Sequence, residues 1–231
     1  MNNSVRPRPF EIFFINMPFR VIARILAKSL QHTFITPNMI CFVGLLTVGI
    51  GSYLLAFLPV TDVWISIPFI LSMAIFAALD GTLSRYKKIS NPFGSWFNVI
   101  AERIEYMLIG ISFSWYSYKI TDDDLILFLC LVSLIFREGI GTTSVMTLAK
   151  MPKGWYGIYE DNFVYKNNSV IKLLVRIFFY TGTHYICLVC ISIFYRSPFS
   201  LILFMTIYGL IFYCAVILQI GYKIYYEKFQ V

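Results

Sequence analysis

The sequence predicts an all-α integral membrane protein with six transmembrane helices, preceded by an N-terminal amphipathic interfacial helix. Hydrophobic residues make up 58% of the 231-residue chain, and only 13% of the residues are charged. The mean hydropathy is +0.73. A soluble domain of this length is about 25% charged, so the composition excludes the soluble globular class. We interpret residues 1–231 as a single membrane domain.

Six apolar windows have the length of a membrane-crossing helix, which needs about 20 predominantly apolar residues. They lie near residues 38–58, 63–84, 95–118, 123–146, 170–195 and 199–222. Thr36 and Pro37 mark the start of the first window, because Thr caps helices well and Pro is tolerated in a first turn. The third and fourth windows contain charged residues, which we expect to face the interior of the helix bundle.

The segment 9–32 is the predicted amphipathic helix. Its apolar residues are interspersed with Arg20, Arg24 and Lys28, which form a basic face. A helix of this composition lies along a membrane interface.

The basic residues predict the orientation of the six helices. Most of them fall in the N-terminal segment, in the loops after the second and fourth windows and at the C-terminus, whereas the opposite side carries only Lys119 and Arg196. Because cytoplasmic loops are enriched in Lys and Arg, we expect a multi-pass protein with both termini cytoplasmic. This bias and anionic lipid headgroups explain the net charge of +7, so membrane lipid and not nucleic acid is the expected partner.

Polar residues cluster on the second and third predicted helices. Asp80 lies near the end of the second helix, and Gly81 leaves room for a phosphate to approach. On the third helix, Asn98, Glu102 and Glu105 are spaced i, i+4 and i+7, which places them on one stripe. Oxygen donors of this kind suit Mg²⁺ or Mn²⁺, which in turn bind a diphosphate.

Two interpretations of this cluster remain open from spacing alone. In the functional one, Arg85 contacts the same phosphate charge. In the structural one, Glu102 and Glu105 form interhelical ion pairs with Arg85, Arg103 or Arg137, which only fix the packing.

The five cysteines all lie within predicted spans and are interpreted as packing residues.

Three motifs together resemble the CDP-alcohol phosphotransferase family, also called the CDP-alcohol phosphatidyltransferases. The family pattern is Asp-x-x-Asp-Gly-x-x-Ala-Arg, a short gap, then Gly-x-x-x-Asp-x-x-x-Asp, and the chain matches its spacing. The motifs are Thr36-Pro37-Asn38, Asp80-Gly81-x-x-Ser84-Arg85 and Gly94-x-x-x-Asn98-x-x-x-Glu102.

The resemblance implies an enzyme of phospholipid or related biosynthesis that transfers a phosphoalcohol or phosphatidyl group from a CDP-linked donor to a hydroxyl, with release of CMP. It also implies a homodimer. The implied metal ligands are Asp80, Asn98 and Glu102, and Glu102 is the implied catalytic base. The implied nucleotide-phosphate site consists of Gly81, Ser84, Arg85 and Gly94.

The chain departs from the family pattern at three acidic positions. Ala77 stands at the first, Asn98 at the third and Glu102 at the fourth. With two carboxylates left, the expectation is one Mg²⁺ or Mn²⁺ ion in place of two, or none if the protein is inactive. The alternatives are therefore a catalytically inactive relative that binds a nucleotide-lipid or a partner enzyme, and a small membrane transporter whose charges line a path.

Arg137 and Glu138, in the fourth window, are the candidates for binding the acceptor. Arg137 suits a phosphorylated or acidic headgroup at the cytoplasmic interface. The positive-inside rule explains the same residue without any ligand.

Reporter fusions check the predicted topology. Alkaline phosphatase, which is active only outside the cytoplasm, is expected to be active when fused after Val60 and inactive when fused after Lys88 or Val231. Green fluorescent protein should give the complementary pattern. Phosphatase activity after Lys88 would contradict the orientation.

Overall fold

The computed structural model describes residues 16–89, 92–135 and 182–198, together with Ile207 and Ile211. These residues form helices and connecting turns, with no strand among them, so the prediction of an all-α chain is confirmed for this part of the protein. The helices are α1 (Met17–Leu30), α2 (Pro37–Phe57), α3 (Ile67–Lys87), α4 (Pro92–Thr121), α5 (Asp124–Ile135) and α6 (Gly182–Tyr195), and a 3₁₀ turn (Val63–Ser66) precedes α3.

Two helical segments of the described residues are long and apolar enough to cross a membrane. They are Pro37–Phe57 and Val63–Lys87, which correspond to the first and second predicted windows. Helix α4 contains the third window but carries charges in its middle. Helices α5 and α6 are the described parts of the fourth and fifth windows. The rest of those windows, and the window 199–222 apart from Ile207 and Ile211, lie outside the described residues.

Helix α2 packs against both α3 and α4, and two glycines bring it close to α3. A Cβ atom at Gly51 would lie 2.7 Å from the Cβ of Phe69 and 3.2 Å from the backbone nitrogen of Ile70. A Cβ atom at Gly44 would lie 2.9 Å from the Cβ of Phe76. Only a residue without a side chain fits at these points, and the resulting backbone approach gives the van der Waals contact that holds helices together in an apolar environment.

Side chains from four helices form the larger core cluster. Leu55 of α2, Ile70 of α3, Ile109 of α4 and Val189 of α6 are all fully buried in it. Tyr116 is also fully buried, and its hydroxyl donates a hydrogen bond of 3.3 Å to the carbonyl oxygen of Ile193. The polar tip of this tyrosine is therefore satisfied within the core, and it joins α4 to α6.

Helix α1 packs lengthwise on α3. Ala23 and Ala27, one turn apart, are completely buried against Leu79 and Leu83. Small side chains at this spacing permit close contact between two helices. The predicted amphipathic segment 9–32 is thus helical over Met17–Leu30, while residues 9–15 lie outside the described part. Its location at a membrane interface stays a prediction.

The connection between α1 and α2 is fixed to the end of α3 by Lys87. Its Nζ donates hydrogen bonds to the carbonyl oxygens of Thr33, at 2.5 Å, and Ile35, at 2.7 Å. Thr36 then caps α2, because its Oγ1 accepts a hydrogen bond of 3.3 Å from the backbone N–H of Met39. Lys87 therefore determines where the N-terminus of α2 lies relative to α3.

Substitution of Gly51 tests the close helix contact. Gly51→Ala places a methyl group against the backbone of α3 and is expected to lower the unfolding free energy by about 2 kcal/mol. Gly49→Ala is the matched control, because nothing lies within 4 Å of a Cβ atom at that position, and its better helix propensity predicts a neutral or slightly stabilising effect. Unfolding by SDS in mixed micelles measures both. Equal effects of the two variants would contradict the packing argument.

Substitution of Lys87 tests its role in positioning α2. Lys87→Met removes a charged donor from two carbonyl groups and is expected to cost about 2 kcal/mol in unfolding free energy. Lys88→Met removes the same charge from the exposed neighbouring residue and is expected to cost far less. The same SDS titration compares them, and similar losses would show that charge alone, and not the hydrogen bonds of Lys87, stabilises this end of α3.

Candidate functional site

A cavity of about 240 Å³ lies where the N-termini of α2 and α4 meet the C-terminal part of α3. Five residues of the predicted metal and phosphate sites contribute to its wall: Asp80, Gly81, Ser84, Gly94 and Asn98. The remaining lining residues are Thr36, Pro37, Asn38, Cys41, Ile89 and Ser95. We call this space the first cavity. Residues from three helices, far apart in sequence, thus face one common space.

Asp80 is the acidic residue of the first cavity. It is only 6% exposed, and its Oδ1 accepts a hydrogen bond from the backbone N–H of Gly81. The carboxyl group also interacts electrostatically with Arg85 and Glu102. A carboxylate buried in this way needs compensating charge or hydrogen bonds, and both are present around it.

Gly81 keeps the cavity open. A Cβ atom at this position would contact only Arg85 Nη1, at an ordinary 3.8 Å. Unlike Gly44 and Gly51, Gly81 is therefore not required by packing within the protein. The space beside it belongs to the cavity.

Arg85 does not line the first cavity itself but lies beside Gly81 and Asp80, which do. Its side chain is exposed but turns back along α3, so that Nη1 comes near Gly81 and Nη2 donates a hydrogen bond of 3.2 Å to Thr82 Oγ1. Thr82 itself donates to the carbonyl oxygen of Ala78 at 2.6 Å. This arrangement holds a guanidinium group beside the acidic wall of the cavity.

Helix α3 ends in a Schellman motif that brings Ile89 over Ser84. Lys88 adopts a left-handed conformation with φ of 54°, and the N–H groups of Lys88 and Ile89 donate to the carbonyl oxygens of Arg85 and Ser84 at 3.3 and 3.1 Å. The Ser84 hydroxyl donates to the Ile89 carbonyl oxygen. Ser84 therefore lines the cavity as predicted, but its hydroxyl proton is already used within the protein.

Cys41 is a cavity residue that the sequence assigned to packing alone. Its thiol donates a hydrogen bond of 3.7 Å to Asn98 Oδ1, which orients the Asn98 amide. The chain offers one signal for this role, since Cys41 lies one helical turn after Pro37 and Asn38, which line the same cavity.

Residues at the N-termini of two helices line the first cavity. Thr36, Pro37 and Asn38 belong to α2, and Gly94 and Ser95 belong to the first turn of α4. The N-terminus of a helix carries a partial positive charge and attracts anions. The cavity thus combines two positive helix ends with one buried carboxylate.

Glu102 lines a second cavity, of about 150 Å³, and not the first. Ala77, at the first acidic position of the family pattern, lies in the same wall. The other lining residues are Asn16, Phe19, Arg20, Met73, Ala74, Ala78, Tyr106, Thr183 and Ile186. Glu102 and Asp80 still interact electrostatically across the boundary of the two cavities. The residues predicted to bind a metal are therefore near one another but face two spaces.

Glu105 lies against α2 and lines neither of these two cavities. It is 6% exposed, and its Oε1 would be 3.4 Å from a Cβ atom at Gly44. Its carboxyl group interacts electrostatically with Glu102 and Asp80, and its pairing with Arg103 or Arg137 stays a prediction. Arg137 and Glu138 lie outside the described residues.

The residues around Asp80 offer a limited set of metal ligands. Within the described part of the chain, no three His, Cys, Asp or Glu residues are grouped so that they could hold a metal ion. The predicted set contains two carboxylates and the amide oxygen of Asn98. Such oxygen donors fit one hard cation such as Mg²⁺ more readily than two adjacent ones, which need more negative charge.

Comparison with known proteins gives no assignment. No protein-family model and no curated protein matches the chain. The interpretation of this site therefore depends on its own residues and geometry.

Proposed function

We propose that this protein is a multi-pass membrane protein related to the CDP-alcohol phosphotransferases, which binds a CDP-linked donor in the first cavity and transfers its phosphoalcohol or phosphatidyl group to an alcohol. One observation carries the proposal. Asp80, Gly81, Ser84, Gly94 and Asn98, selected from sequence spacing, all line the first cavity.

The exposed surfaces of α2 and α4 support a membrane location with more than two spans. On α4 the exposed side is apolar and aromatic along its whole length, while Glu102 and Glu105 lie on the inner side. A soluble protein would expose polar side chains there. The exposed residues of α4 include Phe93, Trp96, Ile100, Ile104, Met107, Ile111 and Trp115, and those of α2 include Met39, Phe42, Leu46, Ile50, Tyr53 and Phe57.

The charges around the first cavity support binding of a diphosphate. The N-termini of α2 and α4 attract anions, and Arg85 beside Gly81 provides a guanidinium group that binds phosphate in a bidentate manner. Gly81 leaves space for the phosphate to approach the backbone of α3. Asp80 and Asn98, which line the first cavity, would hold a Mg²⁺ ion, while Glu102 faces the second cavity. When bound, Mg²⁺ supplies positive charge that neutralises the diphosphate.

Glu102 is the proposed general base. Its carboxylate accepts the proton of the acceptor hydroxyl, the hydroxyl oxygen forms a bond to the phosphorus of the donor, and the bond from that phosphorus to the CMP oxygen breaks. Glu102 faces the second cavity but interacts electrostatically with Asp80 of the first. The acceptor and the nucleotide would therefore bind in adjacent cavities, with the reacting hydroxyl close to the donor.

A catalytically inactive relative that binds a nucleotide-lipid is the second candidate. It is favoured by Ala77, which replaces a metal-binding carboxylate in the wall beside Glu102. The Ser84 hydroxyl donates its proton to the Ile89 carbonyl oxygen, so it does not supply a hydrogen-bond donor to the phosphate site. Under this candidate the donor binds, and no CMP is released.

Calorimetry with a CDP-linked lipid and Mg²⁺ tests the proposal on the detergent-purified protein. The wild type is expected to bind the lipid in a Mg²⁺-dependent manner. Asp80→Asn removes a ligand charge and should weaken this binding by about tenfold or more. Gly81→Ala should fold normally, because its methyl group meets only Arg85, yet lose binding through occlusion of the cavity.

The control for these variants is Gly49→Ala, whose methyl group lies in open space. In a parallel assay of CMP release, Glu102→Gln should reduce turnover by about 10³-fold while lipid binding persists. Lipid binding without Mg²⁺ and without CMP release would favour the inactive relative. Unchanged binding in both Asp80→Asn and Gly81→Ala would contradict the assignment of the first cavity.

A further inference from the structure

Arg20, a basic residue of α1, lines the second cavity together with Ala77 and Glu102. The sequence assigned Arg20 only to the basic face of an interfacial helix. In the structure its side chain is half-buried, whereas Arg24 and Lys28, the other basic residues of α1, are exposed. Arg20 therefore differs from these two residues in facing a space inside the protein.

The course of α1 brings Arg20 to the level of Ala77. Helix α1 packs lengthwise on α3, and Lys87 joins the end of α3 to the carbonyl oxygens of the connection that follows α1. Arg20 lies ten positions before Leu30, the last residue of α1, and Ala77 lies ten positions before Lys87. Each interval is about 15 Å of helix. Because the two helices run in the same direction, Arg20 and Ala77 lie at about the same level.

The charges of the second cavity balance without a metal ion. Ala77 and Glu102 occupy the first and fourth acidic positions of the family pattern, and both line this cavity. Carboxylates at both positions would bring two negative charges, which one divalent cation neutralises. In this chain Glu102 brings one negative charge. The guanidinium group of Arg20, which is always protonated, brings one positive charge.

An uncompensated carboxylate is costly in this part of the protein. Glu102 interacts electrostatically with Asp80 and Glu105, so three acidic groups lie near one another. Charged groups inside a membrane-crossing bundle are stable when a group of opposite charge lies near them. Arg85 provides that charge for Asp80. Among the described residues that line the second cavity, Arg20 alone is basic, so it provides the opposite charge for Glu102.

A guanidinium group also suits the chemistry that the proposed reaction needs at this place. Its five N–H donors match the geometry of phosphate oxygens, so it can serve a phosphoryl group and a carboxylate together. Negative charge on the phosphoryl oxygens is stabilised by a positive charge that is already in position when the acceptor hydroxyl attacks. Arg20 lies on the wall that also holds the proposed base, Glu102.

We infer that Arg20 supplies, from α1, the positive charge that a second divalent cation would supply beside Glu102, so that the site uses one metal ion and not two. The contribution of this charge to phosphoryl transfer rests on the proposed function, whereas the charge balance of the second cavity does not. The helix expected only to lie along the membrane is thereby part of the site.

A count of bound Mn²⁺ ions tests this inference, because Mn²⁺ takes the same oxygen ligands as Mg²⁺ and EPR measures the free ion. The full chain is studied in nanodiscs of phosphatidylcholine, which has no net charge. Arg20→Met combined with Ala77→Asp removes the guanidinium group and restores the acidic pair. This double variant should bind about one Mn²⁺ more than the wild type.

Two matched controls keep the guanidinium group or its charge. Arg24→Met combined with Ala77→Asp removes the same charge from an exposed position of α1 and leaves Arg20 in place. Arg20→Lys combined with Ala77→Asp keeps a positive charge at the site. Neither control should bind an additional Mn²⁺ ion, because a basic side chain still occupies the second cavity.

Unfolding by SDS gives a second measurement that needs no metal ion. Arg20→Met should raise the unfolding equilibrium constant about tenfold or more, because it leaves Glu102 without an opposite charge. In a Glu102→Gln background the same substitution should have a much smaller effect. Arg24→Met should have a small effect in both backgrounds. Thermal unfolding shows which variants fold, and if those with Ala77→Asp do not, the SDS comparison decides alone.

Equal Mn²⁺ counts in the folded Arg20→Met and Arg24→Met double variants would overturn the inference. An effect of Arg20→Met on unfolding that is the same with Glu102 and with Gln at that position would also overturn it. If the additional ion is found while calorimetry detects no binding of a CDP-linked lipid to the wild type, the proposed function fails and the charge balance by Arg20 stands.

Discussion

The close approach of α2 to α3 determines the arrangement of this protein. At Gly51 and Gly44 the two backbones come so near that a single methyl group would clash. This contact positions α2 so that it can also pack on α4. The first cavity lies at one end of the same three helices, and its dimensions therefore depend on contacts that involve none of the residues proposed to bind a ligand.

Buried acidic groups are the second constraint. Asp80 and Glu105 are almost fully buried, and both interact with Glu102 and with each other. Repulsion between carboxyl groups in an apolar environment is unfavourable, and around Asp80 the Gly81 N–H group and the Arg85 guanidinium group offset part of it. A bound cation or the donors of a ligand would offset this repulsion, which is the physical reason to regard the region as functional.

Much of this arrangement was predictable from the sequence, and the reasons for the exceptions are local. Windows of apolar residues predicted the positions of α2 and α3 to within a few residues, because a run of about 20 apolar residues is enough to identify a candidate membrane-crossing helix. The spacing of Asp80, Gly81, Gly94 and Asn98 predicted a shared cavity, since positions one turn apart face the same way. The i, i+4 spacing also predicted that Glu102 and Asn98 share one site, but Asn98 lines the first cavity and Glu102 lines the second. Spacing on α4 alone could not show this, because residues of α1, α3 and α6 also form the wall of the second cavity. The role of Lys87 was likewise hidden, since a basic residue after a span is explained by topology alone.

Trp96 and Trp115, both exposed on α4, would place the two cavities at different depths of a membrane that α4 crosses. They are 19 positions apart, about 29 Å along a helix, and tryptophans favour the two boundaries of a hydrocarbon layer about 30 Å thick. In such a membrane Asn98 would lie about 3 Å below the boundary marked by Trp96, and Glu102 about 9 Å below it. A molecule in the first cavity would stay close to the wet headgroup zone, whereas one that reaches Glu102 would shed most of its water. Dehydration would therefore contribute to selectivity, since only a molecule whose hydroxyls find new partners at that depth recovers the lost hydration.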